Sequence, residues 1–515
     1  MKGRRLNGCA LGLEKFAAAV IIILSLLFIT YLTGAAFLET TDISTNNAAG
    51  ECADIFSDNV FLNIILTAIF LAGLYLFYRH SFEISIRKLE RVLLLWTFAL
   101  GMAFIASTKL RAPWYSDSYL VVYAAQRAAV GEFSAMDNYF VRFPFQLGYV
   151  MYAEIFFRIV KTVMHGLPEG YYCIALQAVN LLWLLLGYHA LIRMSMFIFS
   201  SKRIQKLTAL LLFFCLPPVF SCTFLYGNMP AFGCGTAALW MFLAFLNRGR
   251  LRYGLACAVF LTAAVILKLN LLIFCVAVAI VWVVELLKKF SFRSLVCFIL
   301  AAVCVLTVKQ LPQRLYEQRS GKDFGSGIPM IAWMAMGFNE GHAGPGWYSE
   351  DCTVKAFAAN GNDPEATAEY AKKVLARRME EFRERPGKAL SFFSEKLRTQ
   401  WNEPSYGSLW LNQVQPSYSE KTGIYRLLCE SGEPVTKVLM NQFQQLVFFG
   451  MLLSLFELWR HRDMRNCLLP LIVLGGLLYH LLFEAKSLYA QPYFMLMIPM
   501  AAFGFGWFFY RIENR

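Results

Sequence analysis

Residues 114–149 read WYSDSYLVVYAAQRAAVGEFSAMDNYFVRFPFQLGY, and they separate a pair of apolar runs of membrane length. Two carboxylates stand in this stretch: Asp117 at the start of a short helical pattern, and Asp137 in a polar turn. Trp114, Tyr115, Tyr119, Tyr123, Tyr139 and Phe143 crowd around them. A carboxylate walled by aromatic rings at a membrane surface suits chemistry on a polar group that a lipid carries to the interface.

The apolar runs on either side decide the fold class. Of the 515 residues, 58% are hydrophobic and only 16% are charged, against about 25% charged in soluble domains. About 20 helical residues at 1.5 Å each cover the hydrocarbon core, and such runs recur along the chain. A transmembrane barrel would instead show alternating ten-residue strands. The expected fold is an all-α polytopic membrane protein. The formal net charge of +14 would raise the question of nucleic acid in a soluble chain. Here the basic residues gather in short loops, the pattern of loops kept on the cytoplasmic side, so no nucleic-acid partner is expected. The thirteen cysteines form no CxxC and no Cys/His ligand spacing, so no metal site is expected. Cys257, Cys275 and Cys304 sit inside apolar runs as small packing residues. Cys52, Cys352 and Cys429 fall in external segments, and nothing in their spacing sets a disulfide.

A first span is expected at 16–38, behind MKGRR; its length exceeds a signal-peptide core, so an uncleaved span is the reading. The loop 39–58 holds acids and no Lys or Arg and is placed outside. Spans at 59–77 and 93–106 flank Arg79, Arg87, Lys88 and Arg91, and return the chain to the outer face before residue 114. Further spans are expected at 144–164, 173–199, 206–224, 228–246, 253–268, 271–288, 292–308, 444–459, 467–483 and 489–510, about thirteen in all. The charges conflict at one place. Counting forward puts Lys202, Arg203 and Lys206 outside; counting back from Arg248, Arg250 and Arg252 puts them inside. One segment between 144 and 246 is therefore re-entrant or divided differently.

The chain divides into an N-terminal transmembrane module, 1–308, with an external loop at 108–143; an external segment, 309–442; and C-terminal spans, 443–515. In the external segment, Asp363-Pro364-Glu365 supplies a cap, a first-turn proline and an early acid, which together start a helix. Ala371, Leu375, Met379 and Phe382 share one of its faces, and Pro386-Gly387 ends it. A second helix aligns Leu390, Phe393, Leu397 and Trp401. The two helices lie on the bilayer surface or pack on each other.

Asp117 has two compatible readings: a helix cap complementing the dipole, or a rigidly held carboxylate that takes a proton from an attacking hydroxyl. Lys268 and Asn270 interrupt a continuous apolar stretch. A lysine there either snorkels or meets an anion; a lipid phosphate, with Asn270 adding hydrogen bonds, is one such anion. Glu484 and Lys486 stand at the last external turn, before Tyr489; they reach ligand groups separately or merely anchor the turn at the interface. Glu154 and Arg158, four apart, are expected to pair on one helix face. The six histidines form no motif; His342, in a glycine-rich external loop, is the one worth testing. The sequence has no Walker loop, no GxSxG and no HExxH, which argues against an ATP-driven pump or a nucleotide-sugar transferase of cytosolic type.

Taken in order, several pieces resemble GT-C glycosyltransferases. Ser116-Asp117 is followed by a helical pattern with Tyr and Ala, then by Gly131-Glu132-Phe133, then by Tyr139 and Phe143-Pro144-Phe145-Gln146-Leu147-Gly148. This is similar to the first external loop of the bacterial branch related to protein mannosyltransferases and the aminoarabinose transferase, glycosyltransferase family 39-like. Leu267-Lys268-Leu269-Asn270 is similar to a K-x-N turn of the family. Met336-Gly337-Phe338-Asn339, Gly344-Pro345-Gly346-Trp347-Tyr348 and EAKSLYAQPYF at 484–494 are similar to external segments of its Gram-positive-type members. The resemblance implies a GT-C bundle. It implies transfer of a sugar from a polyprenyl-phosphate carrier to a hydroxyl of a cell-surface glycan, teichoic acid, lipid or protein. The reaction would be inverting and take place at the outer face of the cell membrane, with Asp117 as general base. Lys268, Asn270, Glu484, Lys486, Tyr139, Gln146 and Tyr489 would bind substrate, with no cofactor and no metal. The chain departs from the pattern at Ser118, where relatives carry Glu, at Phe145, where close relatives carry His, and at Leu488, where an Arg is common. The alternative is a transporter or flippase of lipid-linked saccharides, in which two related halves are expected; no internal repeat is visible. A non-catalytic scaffold leaves the surroundings of Asp117 without a purpose.

Overall fold

The computed structural model describes all residues except 1, 47–49, 81–82, 111–115, 165, 167, 416–419 and 515. Trp114, Tyr115 and His165 thus lie outside the described residues. The fold is all-α and polytopic. The first long helix, α1 (Lys2–Leu38), leads into a hairpin of β1 (Glu39–Asn46) and β2 (Gly50–Ser57), antiparallel from Glu39↔Ser57 to Asn46↔Gly50. This segment was expected only as a loop. Thr41, Ile43 and Thr45, two apart, share one face of a pleat built from β-branched residues, and Thr41 and Ile43 are the residues buried. Helices α2 (Val60–His80) and α3 (Ile86–Thr108) follow, then the short α4 (Ser116–Ala129) and α5 (Asn138–Arg142). Asp137 caps α5, accepting from the Tyr139 amide at 2.9 Å.

The next two helices, α6 (Leu147–Val163) and α7 (Glu169–Phe199), resolve the charge conflict. Helix α7 runs antiparallel to α3. Gln177, early in α7, donates to the Leu110 carbonyl just past the end of α3 (3.1 Å), while Arg193, late in α7, pairs with Glu90 near the start of α3 (2.9 Å). So α7 begins at the end of the bundle where α3 finishes, and α6, lying between them, starts and ends on that one side. The span expected at 144–164 does not cross. Its polar face explains why. Glu154 accepts from Arg158 at 2.9 Å, the expected pair, and also from both terminal nitrogens of Arg319 at 2.7 and 2.9 Å. Arg158 in turn donates to the Ala128 carbonyl at 3.0 Å. An ion cluster of this kind seats a helix against protein rather than among lipid tails.

The chain continues through α8 (Lys202–Phe213) and α9 (Pro217–Phe220), α10 (Asn228–Arg248), α11 (Leu251–Leu267), α12 (Leu272–Lys288) and α13 (Phe292–Val308). The α8 segment and 217–223 are together long and apolar enough for one span, with a bend of 51° at prolines that lack the amide a straight helix needs. After α13 come the helices of the interrupting segment: α14 (Leu311–Ser320), α15 (Met330–Gly337), the small hairpin β3 (Glu340–Gly341) and β4 (Gly344–Pro345), α16 (Val354–Ala359), α17 (Pro364–Glu384), α18 (Pro386–Trp401), α19 (Ser408–Val414) and α20 (Gly423–Cys429). Asp363 caps α17 as expected, accepting from the amides of Glu365 and Ala366. Helices α17 and α18 pack on each other. Phe382 meets Phe392 and Phe393 at ring-centroid distances of 5.3 and 5.6 Å, while Met379 and Leu390 of the expected stripes stay 50% and 75% exposed. The chain closes with α21 (Glu433–His461), α22 (Leu468–Leu482) and α23 (Ser487–Glu513).

Among the described residues nine helices are long and apolar enough to cross a bilayer, or ten with the bent pair; the shorter apolar α11 and α22, counted as spans, make twelve, against the about thirteen expected. With α6 set aside, Lys202, Arg203 and Lys206 fall at the same end as Arg248, Lys288 and Arg465, so this is the basic end of the bundle. The opposite end, the loop end, carries both hairpins, α4–α6, α14–α20 and the turns at 268–271 and 483–486. Outward-facing apolar residues such as Phe61, Ile65 and Ile69 on α2, and Ile299 and Val303 on α13, are exposed where lipid takes the place of water. Cys52, Cys352 and Cys429 are free thiols.

This topology predicts the outcome of impermeant thiol labelling. A Pro168→Cys residue should react from the same side as Glu132→Cys and from the side opposite Lys202→Cys. Labelling of position 168 from the side opposite 132 would restore α6 as a span.

Candidate functional site

Three chain turns converge at the loop end of α11. The carbonyl of Ile266 lies against Gly148 at the start of α6, where a Cβ would come within 1.9 Å of the oxygen. The carbonyl of Leu267 lies against Gly227, ahead of α10, where a Cβ would come within 2.6 Å. The two glycines let the α5–α6 and α9–α10 turns close directly onto the end of α11. There the backbone turns extended at Lys268 (φ −155°, ψ 112°) and starts again as α12. A cavity of about 1160 Å³ opens beside this junction.

Tyr226, carried by the α9–α10 turn, organises the polar side of the cavity. Its hydroxyl donates to Asp117 Oδ2 at 2.8 Å and accepts from the Gln146 side-chain amide. Its ring face carries Lys268 Nζ at 4.1 Å from the centroid, and Tyr489 offers a second ring at 5.2 Å. One tyrosine thus joins the carboxylate to the cation. The Lys268 ammonium makes no ion pair and no hydrogen bond among the described residues, while its backbone amide donates to the Ala264 carbonyl at 2.9 Å. Burial pushes its ammonium down to about 8, against the opposing pull of Asp117 and Glu484. Lys268 is thus a part-buried cation on the cavity wall, held by ring faces and without a bonded counter-ion.

Lys486 is placed differently. It caps α23 and pairs with Glu51 of β2 at 2.8 Å. Burial works against its charge, but Glu51, joined by Glu484 and Asp117, outweighs burial and holds the ammonium above the usual lysine range. Glu484, in the same turn, has its carboxyl pushed up to about 7, chiefly by burial, with Lys486 opposing. Both line the cavity, as do Asp117, Gln146, Asn270 and Tyr489. Tyr139 does not; it is buried behind Asp117, and burial together with the negative charge of Asp117 raises its phenol well above the ordinary range. Asp137 caps α5 and is absent from the lining, whereas His342 faces the cavity from the loop joining β3 and β4. Asp117 itself lies in the first turn of α4, inside the helix rather than at the cap.

Two residues of the site escaped the sequence reading. Tyr226 sits in Leu225-Tyr226-Gly227-Asn228, a short break between apolar runs whose glycine was its one signal. Glu51 belongs to the acidic loop that indicated sidedness; its neighbours carry no mark of a ligand position.

Residues 237–505 match the model of a family described as "Conserved hypothetical integral membrane protein". The chain belongs to this family of integral membrane proteins. No curated protein matches it in sequence. Among solved structures it is similar to the archaeal oligosaccharyltransferase AglB from Archaeoglobus fulgidus, in complex with an inhibitory peptide and a dolichol-phosphate, at 11% identity and a TM-score of 0.38. That alignment covers 82% of this chain and 51% of the archaeal one, so the chain spans about half the length of that protein.

Lys268 sets a pH dependence for anion binding in the cavity. A short alkyl phosphate should bind with full affinity below pH 8, where Lys268 is protonated, and progressively more weakly as the pH rises through about 8. In Lys268→Met the affinity should be low and this step absent; titration calorimetry in detergent measures both.

Proposed function

We propose that the protein is a GT-C-type membrane glycosyltransferase that moves a sugar from a polyprenyl-phosphate carrier to a hydroxyl acceptor. The observation that carries this reading is the pairing, through Tyr226, of a carboxylate with an anion-seeking ammonium in one cavity at the loop end. By the positive-inside rule the basic end faces the cytoplasm and the cavity faces outward. The prenyl chain stays in the bilayer and its phosphate rises to Lys268, with Asn270 beside it. Glu484 and Gln146 are within the same lining to hold sugar or acceptor hydroxyls. We assign the acceptor side to the 309–442 segment, which contributes His342, Trp347 and Tyr348.

In the transfer step the acceptor oxygen forms a bond to the anomeric carbon as the carbon–oxygen bond to the carrier phosphate breaks. The hydroxyl proton passes to Asp117, and the bonding pair leaves on the phosphate, where Lys268 stabilises the growing charge. A single displacement inverts the anomeric carbon. Holding donor and acceptor in one cavity supplies much of the acceleration. Lys486, already paired with Glu51, supports the Glu484 turn in this scheme and leaves Lys268 as the phosphate ligand. Transfer is favoured over transport because the polar lining residues all sit at one end of the bundle.

The test is transfer from labelled polyprenyl-phosphate sugars in membranes, across a panel of sugars. Asp117→Asn should lose roughly 10²–10⁴-fold in turnover, the usual worth of a general base, while keeping alkyl phosphate binding. Near-normal turnover in that variant would sink the assignment.

A further inference from the structure

Helix α18 carries a lysine that the transfer step does not use. Lys396 is 1% exposed and is not part of the cavity lining. Its ammonium donates to three carbonyl oxygens: that of Gly337, that of Leu481 at 3.0 Å and that of Phe483 at 2.7 Å. Three donors meet three acceptors, so its hydrogen-bonding capacity is filled without a carboxylate. The acceptors are the closing carbonyls of two helices, α15 and α22. Carbonyls at helix C-termini lack intrahelical partners and carry partial negative charge, which suits them to a buried cation.

Each of these helix ends leads straight into a wall of the cavity. Just past Gly337 comes the β3–β4 hairpin, whose His342 and Ala343 line the cavity, as do Trp347 and Tyr348 behind it; just past Phe483 comes the turn of Glu484 and Lys486. The two segments also touch each other, the Ala485 amide donating to the Gly346 carbonyl at 2.8 Å. Gln400, one turn along α18 from Lys396, donates to the Lys486 carbonyl at 3.2 Å. One helix face therefore sets both walls.

We propose that Lys396 is a positioning residue: from behind the cavity it sets the Glu484 turn against the hairpin that carries His342, and it acts on the reaction through Glu484. Its effect on turnover rests on the transferase reading; its effect on the turn does not. Two measurements on the full chain in detergent keep these apart. In Lys396→Met, amide exchange of the 483–487 segment should quicken by roughly ten-fold, the worth of about one hydrogen bond, with α21 unchanged. Unaltered exchange would overturn the proposal. In the transfer assay, Lys396→Met should lower kcat by a similar factor and leave the donor KM, set at Lys268, unchanged. Adding Glu484→Gln should cost no more than Glu484→Gln alone. Independent, multiplying losses would overturn action through Glu484. A wild-type protein inert with every donor would remove the transferase reading while the exchange result still judged Lys396. Where Lys396→Met fails to accumulate, Lys396→Gln, which keeps two donors, takes its place with the same expectations.

Discussion

An ammonium inside a bundle of apolar helices needs a replacement for the water it has lost. At Lys268 the replacement is incomplete: two tyrosine rings, and two carboxylates within Coulombic reach but not bonded. A desolvated cation–π contact is worth about 2 kcal/mol, less than the several kcal/mol that removing an ion from water costs. The remainder shows as an ammonium pushed down to about 8, against the pull of Asp117 and Glu484. Everything that defines the cavity is arranged around this one unfinished interaction: the break between α11 and α12 that exposes Lys268, the glycines that let two other turns close on it, and the tyrosine that hands it on to Asp117.

Several other buried charges are paired. At the basic end, Lys288 joins Glu14 and Glu285 at 2.8 and 3.0 Å, and Arg465 reaches the same Glu285, fastening α1 and α12 to the loop before α22. At the loop end the first hairpin is tied to the later chain by Glu39–Arg398 at 2.6 Å, Asp42–Lys437 at 2.7 Å and Glu51–Lys486. Such pairs add little net stability, yet breaking one leaves a stranded charge, so they act chiefly to hold register. Against that background the unpaired state of Lys268 stands apart, and so does Lys396, which uses backbone carbonyls in place of an acid.

The two lysines differ in how far local sequence foretold them. Lys268 interrupts an apolar run, and a charge in such a run has to be explained. Lys396 lies in an ordinary amphipathic pattern between Glu395 and Leu397, where a lysine reads as solvated. Only the arrival of α15 and α22, about 60 residues before it and about 85 after, makes it a buried clamp. Glu51 and Tyr226 are hidden for the same reason: each acquires its partner from a distant segment.

By itself the sequence determined that this is a many-span helical membrane protein, which loops carry the basic residues, and which polar residues interrupt the apolar runs. It could do so because length and hydropathy of a single run suffice to seat it in a bilayer. It did not determine that α6 stays on one side. A run of seventeen residues with one acid–base pair is compatible with crossing or lying along the surface, and the choice was made by Arg319 and Ala128, which reach Glu154 and Arg158 from elsewhere in the chain. Nor did it determine which cation is left without a bonded partner. Lys268 and Lys486 look alike in sequence, and only the return of the first hairpin, placing Glu51 against Lys486, leaves Lys268 as the one still unmatched.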